Sequence, residues 1–330
     1  MIRPVAAALA LSAALVASAA AQTPKVAPEF PPGLFSDGGS YSMADFEGKV
    51  LTLIFYESKC PTCAKAVPEY GQLARTFAGE PVYVLAVAAE DSANETQQYM
   101  ARTGMDVPVF VDHVGLFSDA YDFDISLNNI RQIVVIDGNG NVRRAGFKPE
   151  GAVEVIRAAL PTAKWKYDPS QYPAMFGPML QRAELGDWPL VLRELKRLER
   201  AKDEETTAAA AKLLAAAEAE ADAWLAEAKE LASAEKPAQA YAVYEQVAMR
   251  FPLLTDRATT AREAGERLEK DEAVQRELAA RREYDVFRRQ VAGAGPDVIE
   301  GVKQAAAQIA AAYEGTPTSE QIRAWLGTSR

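Results

Sequence analysis

The sequence predicts an α/β domain followed by an all-α region of helical hairpins or a helical bundle. In the first half, continuous apolar runs typical of buried strands alternate with segments of helical periodicity. Near residue 161 the composition changes, and the chain becomes rich in Ala, Glu, Arg and Leu with few β-branched runs. Prolines punctuate the stretch between the two parts, which we expect to be a linker. The predicted divisions are an α/β domain at 22–160, a linker at 161–173 and a helical region at 174–330.

The N-terminal residues predict an export signal. Arg3 gives a short basic start, an apolar run covers residues 5–16, and small residues lead to Ala21. This is the tripartite pattern of a secretory signal peptide, with cleavage expected after Ala21. The apolar run is shorter than the roughly 20 residues that a membrane span needs. We therefore expect residues 1–21 to be removed, and the mature chain to be periplasmic or secreted without a membrane span.

The elements of the first half follow from apolar patterning and turn residues. Residues 49–56 (KVLTLIFY) form a continuous apolar run, which indicates a strand buried on both faces. Residues 63–77 have apolar positions at helical spacing, with Pro68 as a kink. We then expect a strand at 81–88, a helix at 94–103 ended by Gly104, an extended piece at 107–111, a strand at 131–136, a hairpin turn at 137–140, a strand at 142–147 and a helix at 150–160.

The two cysteines, Cys60 and Cys63, lie between the first predicted strand and the first predicted helix. A disulfide across two intervening residues stabilises little, because the entropic gain grows with loop length. Chemistry therefore explains the pair better than stability does. A helix N-terminus stabilises a thiolate at Cys60, and Lys59 adds a nearby positive charge. Cys63, one turn inside the helix, can reach back to resolve a mixed disulfide, so we predict a redox-active disulfide between the two.

Residues 28 to about 160 resemble the TlpA-like branch of the thioredoxin superfamily, which borders on the peroxiredoxins of the AhpC/TSA redoxin type. The resemblance implies a thioredoxin-like fold and thiol–disulfide oxidoreductase activity on a protein client, with a redox partner protein. It rests on five ordered stretches, which are 28–30 (PEF), 45–50 (DFEGKV), 55–63 (FYESKCPTC), 107–112 (VPVFVD) and 136–140 (IDGNG).

Two departures from this resemblance concern residues beside the cysteines. Arg131 stands where the family usually has a cis-proline that pairs with an extended substrate. Peroxiredoxins typically place an arginine there, so Arg131 is either a thiolate-stabilising group beside Cys60 or a surface residue at a strand end. Glu57 stands where peroxiredoxins have a hydroxyl, and its carboxylate would oppose thiolate formation.

A third departure concerns proton transfer. The carboxylates that assist the resolving cysteine in related proteins fall at Ile54 and Ala66 here. Glu57 is the nearest remaining carboxylate in sequence, and it either accepts the proton of Cys63 or lies exposed beside the site.

Nucleic acid, metal and cofactor binding are not expected. The formal net charge of −10 disfavours nucleic acid and anionic membranes as partners. Two thiolates are too few ligands for a metal site. Copper-delivering relatives have a histidine at the position of Asn129, and we interpret the single histidine, His113, as a solvated loop residue.

The second half reads as a series of helices. Two short helices are expected to meet at Gly186 and Asp187, followed by a long helix at 202–235 and another at 238–251. A weak internal repeat relates 246–251 (QVAMRF) to 308–313 (QIAAAY). Each is followed by a turn and a further helix, ending at Leu268 or Leu326. The predicted N-caps are Thr255 or Asp256 in the first copy and Thr318 or Ser319 in the second.

The repeat resembles a degenerate tetratricopeptide array, and a plain helical bundle that caps or dimerises the first domain is the alternative. Either arrangement offers a surface for protein contact, including a homodimer. Three functions remain open. The first is a thiol–disulfide oxidoreductase whose helical region binds a client or partner. The second is a peroxiredoxin-like thiol peroxidase that uses Cys60 and Arg131. The third is a non-catalytic interaction scaffold, which the intact CxxC opposes.

Overall fold

The computed structural model describes residues 26–39, 41–121, 131–146, 148–292, 294 and 298–327. The predicted signal segment and Asn129 lie outside these residues, as does Phe147 at the end of the last predicted strand. Within the described ranges, no helix has both the length and the apolar character to cross a membrane.

A six-stranded mixed sheet forms the first part of the molecule. Its spatial order is β1-β4-β3-β2-β5-β6, and β2, β3 and β4 run parallel to one another. Tyr56 pairs with Ala88, and Ala89 pairs with Asp112, so the carboxyl ends of these three strands lie level at one edge. The strands are β1 (Leu34–Phe35), β2 (Val50–Tyr56), β3 (Val82–Ala89), β4 (Val109–Asp112), β5 (Gln132–Ile136) and β6 (Val142–Gly146).

Helices cover both faces of this sheet, and the alternating side chains of β2 supply both cores. Ile54 and Tyr56 pack into one core, together with α1, α2 and α4. Leu53 and Phe55 pack into the other, which contains α3. This arrangement confirms the predicted thioredoxin-like α/β fold and explains why β2 is apolar throughout. The helices are α1 (Pro61–Thr76), α2 (Ala93–Thr103), α3 (Leu116–Ala120) and α4 (Pro149–Ala159).

The predicted elements of this part agree with the structure to within one or two residues. The largest shifts, of two residues, are at the start of α1, which is Pro61 rather than Cys63, and at the start of β4, which is Val109 rather than residue 107; β1 and α3 were not predicted. Proline suits the first helical position because its missing N–H would have no partner there. Helix α2 ends at Gly104 as predicted, with φ of 69° in the left-handed region that favours glycine.

The second part is helical, and this confirms the predicted all-α character. Helices α7, α8 and α9 share one core with α5 and α6, and α10, α11 and α12 form a second. The helices are α5 (Gly177–Glu184), α6 (Trp188–Leu198), α7 (Glu204–Ser233), α8 (Pro237–Arg250), α9 (Thr255–Leu268), α10 (Glu272–Val291), α11 (Ile299–Ala312) and α12 (Pro317–Leu326). The tetratricopeptide resemblance stays a prediction.

Both predicted N-caps of the repeat were wrong, because each helix starts earlier than expected. Leu254 is the N-cap of α9 and makes no side-chain capping hydrogen bond. Thr316 is the N-cap of α12, and its side chain accepts a hydrogen bond from the Ser319 N–H. Pro317 then takes the first helical position, for the same reason as Pro61 does in α1.

The segment that joins the two parts packs against both of them. The Lys164 N–H donates to the Gly48 carbonyl at 2.9 Å. Tyr167 is buried, and its N–H donates to Glu184 at 2.5 Å while its hydroxyl donates to Glu220 at 2.7 Å. The segment therefore contributes to the contact between the sheet and the helices.

A buried ion pair also joins the two parts. The Lys49 Nζ, just before β2, lies 2.6 Å from the Glu184 Oε2 in α5, and both side chains are almost fully buried. More exposed pairs lie elsewhere along the contact, between Arg250 and Asp45 at 3.2 Å and between Lys303 and Asp119 at 2.8 Å. The contact thus extends from the start of β2 to α3.

We expect Lys49→Met to destabilise the protein by about 3–5 kcal/mol, because it leaves the Glu184 carboxylate buried without its cation. Urea unfolding measures the effect. Lys49→Met combined with Glu184→Gln should recover most of the loss, since the amide oxygen still accepts from Tyr167. The control is Arg197→Ala, which breaks an exposed pair with Glu194 and should cost less than about 0.5 kcal/mol. Equal losses for Lys49→Met and Arg197→Ala would contradict the prediction.

Candidate redox site

The two cysteines lie together at the edge of the sheet where β2 ends. Cys60 is the N-cap of α1, and its sulfur accepts a hydrogen bond from the Cys63 N–H at 3.0 Å. Both residues are present as thiols, and each is only 1% exposed. The structure therefore brings together the predicted redox pair, with the Cys60 sulfur facing the backbone donors of the helix N-terminus.

Burial raises the pKa of the Cys63 thiol to about 12. Its contact with Cys60 raises that pKa further, whereas a hydrogen bond from the Glu57 backbone and the positive charge of Arg131 lower it. The Cys63 thiol is therefore protonated at neutral pH. It must lose its proton before it can attack a disulfide, as a resolving cysteine does.

Arg131 immediately precedes β5 and lies close to Cys63. Its guanidinium is 3.5 Å from the Glu69 carboxylate and its side chain is 19% exposed. The charge of Arg131 lowers the pKa of both Cys63 and Tyr70. These interactions favour a role for Arg131 in the site over that of a detached surface residue. Stabilisation of a thiolate at Cys60 by Arg131 stays a prediction.

Glu57 and Lys59 flank the turn that leads to Cys60. The Glu57 carbonyl accepts a hydrogen bond from the Cys60 N–H at 3.1 Å, and the Glu57 side chain is partly exposed. Lys59 is exposed, and its charge lowers the pKa of Glu95. The structure thus shows backbone contacts of Glu57 with both cysteines. Proton transfer by its carboxylate and thiolate stabilisation by Lys59 stay predictions.

Asp91 is a residue of this site that the sequence reasoning missed. It follows the end of β3, is fully buried, and accepts hydrogen bonds from the Ser58 N–H at 2.8 Å and the Ser58 hydroxyl at 2.6 Å. Burial raises the pKa of Asp91, although the Ser58 hydrogen bonds lower it. Asp91 therefore holds the turn before Cys60. The sequence signal that could have predicted Asp91 is an acid two residues after a buried parallel strand, at the same sheet edge as the cysteines.

The loop after β4 reaches the same edge of the sheet. His113 is only partly exposed, and its Nδ1 is buried without a hydrogen-bond partner in the ranges that the structure describes. This differs from the expected solvated residue, because Val114 and Leu116 bury the loop against α10, α11 and α12.

Ile54 and Ala66 are buried in the core around the cysteines. Across the described part of the chain, no group of three or more His, Cys, Asp or Glu residues could hold a metal ion.

Comparison with known proteins identifies the first part of the chain. Residues 21–160 match the Redoxin family. We refer to this part as the redoxin domain after that match. Two curated relatives are proteins named thiol-disulfide oxidoreductase ResA. That of Halalkalibacterium halodurans is 27% identical over 109 residues, covering 32% of this chain and 62% of the relative. That of Geobacillus thermodenitrificans is 24% identical over 108 residues, covering 33% and 60%. The similarity thus spans less than two thirds of either relative.

Solved structures are also similar to the redoxin domain. A thiol:disulfide interchange protein of the thioredoxin family from Chlorobium tepidum is 24% identical, with a TM-score of 0.35. The match covers 42% of this chain and 97% of that structure.

We predict that the alkylation rate of Cys63 rises about tenfold per pH unit between pH 6 and pH 10, without a plateau. Below its pKa, the thiolate fraction of a thiol grows tenfold per unit, and burial holds the Cys63 pKa near 12. The measurement uses iodoacetamide on the Cys60→Ser protein, in which Cys63 is the single thiol. The Cys63→Ser protein provides the matched profile for Cys60. A plateau for Cys63 below pH 9 would show that the thiolate is better stabilised than its burial implies.

We predict that Asp91→Ala slows the reaction of Cys60 with a small aromatic disulfide by about tenfold. The substitution removes both acceptors of Ser58, and a hydrogen bond to a charged group contributes about 1.5–3 kcal/mol. Stopped-flow absorbance measures the rate, and circular dichroism checks folding. The control is Asp106→Ala, since Asp106 is exposed and pairs with Arg75 away from the cysteines. If both variants react like the parent, the turn does not depend on Asp91.

Proposed function

We propose that this protein is a thiol–disulfide oxidoreductase that acts on protein disulfides through Cys60-Pro61-Thr62-Cys63. The observation that carries the proposal is the asymmetry of the pair. Both cysteines are buried, but the Cys60 sulfur accepts a hydrogen bond at the helix N-terminus, whereas the Cys63 thiol has a raised pKa and is protonated at neutral pH. The name shared by the ResA relatives supports the same chemistry.

The proposed reaction has two exchanges at sulfur. The Cys60 thiolate attacks one sulfur of a client disulfide, so that a mixed disulfide forms and the second client sulfur leaves as a thiolate. Cys63 then loses its proton and attacks the Cys60 sulfur, which releases the first client sulfur. The client gains two electrons, and Cys60 and Cys63 become a disulfide. In the opposite direction, the same steps oxidise a client dithiol.

The helical region is the proposed binding surface for a client or a redox partner protein. Helices α10, α11 and α12 pack against Val114, in the loop after β4, and Leu116, at the start of α3, and this loop lies at the same sheet edge as Cys60. A protein that approaches Cys60 would therefore meet these helices. We also propose that the protein is exported, on the basis of the signal-like composition of residues 1–21.

We predict a reversible two-electron equilibrium between the Cys60–Cys63 disulfide and the dithiol. The test is a redox titration of the protein purified from an exporting host, scored by thiol alkylation, with Gln22 expected as its first residue by mass spectrometry. A midpoint near about −120 mV would assign an oxidant, and one near about −270 mV or lower a reductant. Thiols that never pair under any redox poise would overturn the proposal and favour a scaffold.

A second arm of this experiment distinguishes the peroxidase hypothesis from the oxidoreductase hypothesis. The reduced protein is mixed with hydrogen peroxide, and the loss of Cys60 thiol is followed. A slow reaction that is first order in peroxide, like that of an ordinary thiol, supports the oxidoreductase. A fast reaction that saturates with peroxide, and that Arg131→Ala abolishes, would favour the peroxidase instead.

A further inference from the structure

Three tyrosines share the buried core of the two cysteines. Tyr56 ends β2, Tyr70 lies in α1 and Tyr99 lies in α2, and each is 0% exposed. The rings of Tyr56 and Tyr99 stack, with centroids 4.9 Å apart and planes at 22°. Sequence periodicity alone treats these positions as apolar, but each brings a hydroxyl into the core.

The hydroxyls of Tyr56 and Tyr99 are buried without a hydrogen-bond partner among the residues that the structure describes. A buried donor without a partner costs about 1–3 kcal/mol, and phenylalanine would fill the same space without that cost. The Tyr70 hydroxyl likewise has no hydrogen-bond partner among these residues, and the positive charge of Arg131 acts to lower the pKa of Tyr70. The described part of this core thus contains three tyrosine hydroxyls that donate no hydrogen bond, one of them near a cation.

Cys63 belongs to the same buried core cluster as the three tyrosines. Burial raises the pKa of Tyr56, Tyr70 and Tyr99, and a negative charge on Cys63 raises each pKa further. The phenols therefore stay protonated at neutral pH, so they can donate hydrogen bonds but cannot act as bases. Ile54 and Ala66, in the same core, offer no carboxylate to the sulfur.

We propose that the hydroxyls of Tyr56, Tyr70 and Tyr99 form a pocket of hydrogen-bond donors that stabilises the Cys63 sulfur once it has lost its proton. The three tyrosines are positioning residues for the second exchange, and the inference rests on the proposed oxidoreductase function. Arg131, beside Tyr70, adds its positive charge to the pocket.

The pocket acts while the mixed disulfide is resolved. Cys63 first loses its proton to the client thiolate that the first exchange released, and the Cys63 sulfur, now negatively charged, attacks the Cys60 sulfur. The bond between Cys60 and the client breaks as the bond between Cys60 and Cys63 forms, and the electron pair leaves with the client sulfur. Donors around Cys63 lower the free energy of this charged sulfur in a core that otherwise penalises it.

The test separates the two exchanges by using an aromatic disulfide, 5,5′-dithiobis(2-nitrobenzoate), on the reduced mature protein. Attack by Cys60 releases a first nitrothiobenzoate, and resolution by Cys63 releases a second. We expect Tyr56→Phe and Tyr99→Phe each to slow the second release by about tenfold and to leave the first unchanged. In the Cys60→Ser background, the same variants should move the pH profile of Cys63 alkylation to higher pH.

Phenylalanine keeps the ring and its stacking, so these variants test the hydroxyl and not the packing. The matched control is Tyr121→Phe, because Tyr121 is equally buried in the core on the other face of the sheet. It should leave both releases unchanged. If the parent gives two releases and the Tyr56 and Tyr99 variants resolve at the parent rate, with an unshifted pH profile, the pocket is overturned. If the parent gives no second release, the proposed oxidoreductase function fails instead.

Discussion

The first turn of α1 gives the two sulfur atoms different environments, and the chemistry of the site depends on this difference. Because the helix begins at Pro61, the Cys63 N–H is one of the donors that has no helical carbonyl to bind, and it donates to the Cys60 sulfur. Negative charge at Cys60 is then favoured by the helix dipole. Cys63 lies inside the same turn, where burial opposes its ionisation. In the proposed reaction, this one local structure separates the nucleophile from the resolving thiol.

The position of the turn before Cys60 depends, in addition, on the register of the parallel strands β2 and β3. Because β2 and β3 end at the same level, the residue that follows β3 can reach the loop that follows β2. Asp91 occupies this position and binds Ser58 through both carboxylate oxygens. The buried carboxylate carries an energetic penalty, which its raised pKa reflects. A buried acid that is tied to one turn suits a role in fixing backbone geometry.

Much of the redoxin domain could be predicted because its patterns are local. Strand β2 is apolar on both faces, and the cysteines directly precede a helical pattern, so each is visible within a short window. The role of Asp91 is not visible in this way, because it depends on the register of two strands. The tyrosines were visible only as apolar positions, since the packing of α1 and α2 on the sheet decides which side chains share their core. The pairing of Lys49 with Glu184 likewise joins distant parts of the chain.

Under the proposed function, the helical region would restrict how a client reaches the cysteines. Cys60 is almost completely buried, so a protein disulfide can meet its sulfur only if the surrounding loops move. The loop after β4 is held by α10, α11 and α12, and the Lys49–Glu184 pair holds the opposite end of the contact. Residues 57–59 are at least partly exposed and are held by Asp91 through Ser58. Because two hydrogen bonds are easier to break than a helical core, this turn is the segment whose movement would expose Cys60.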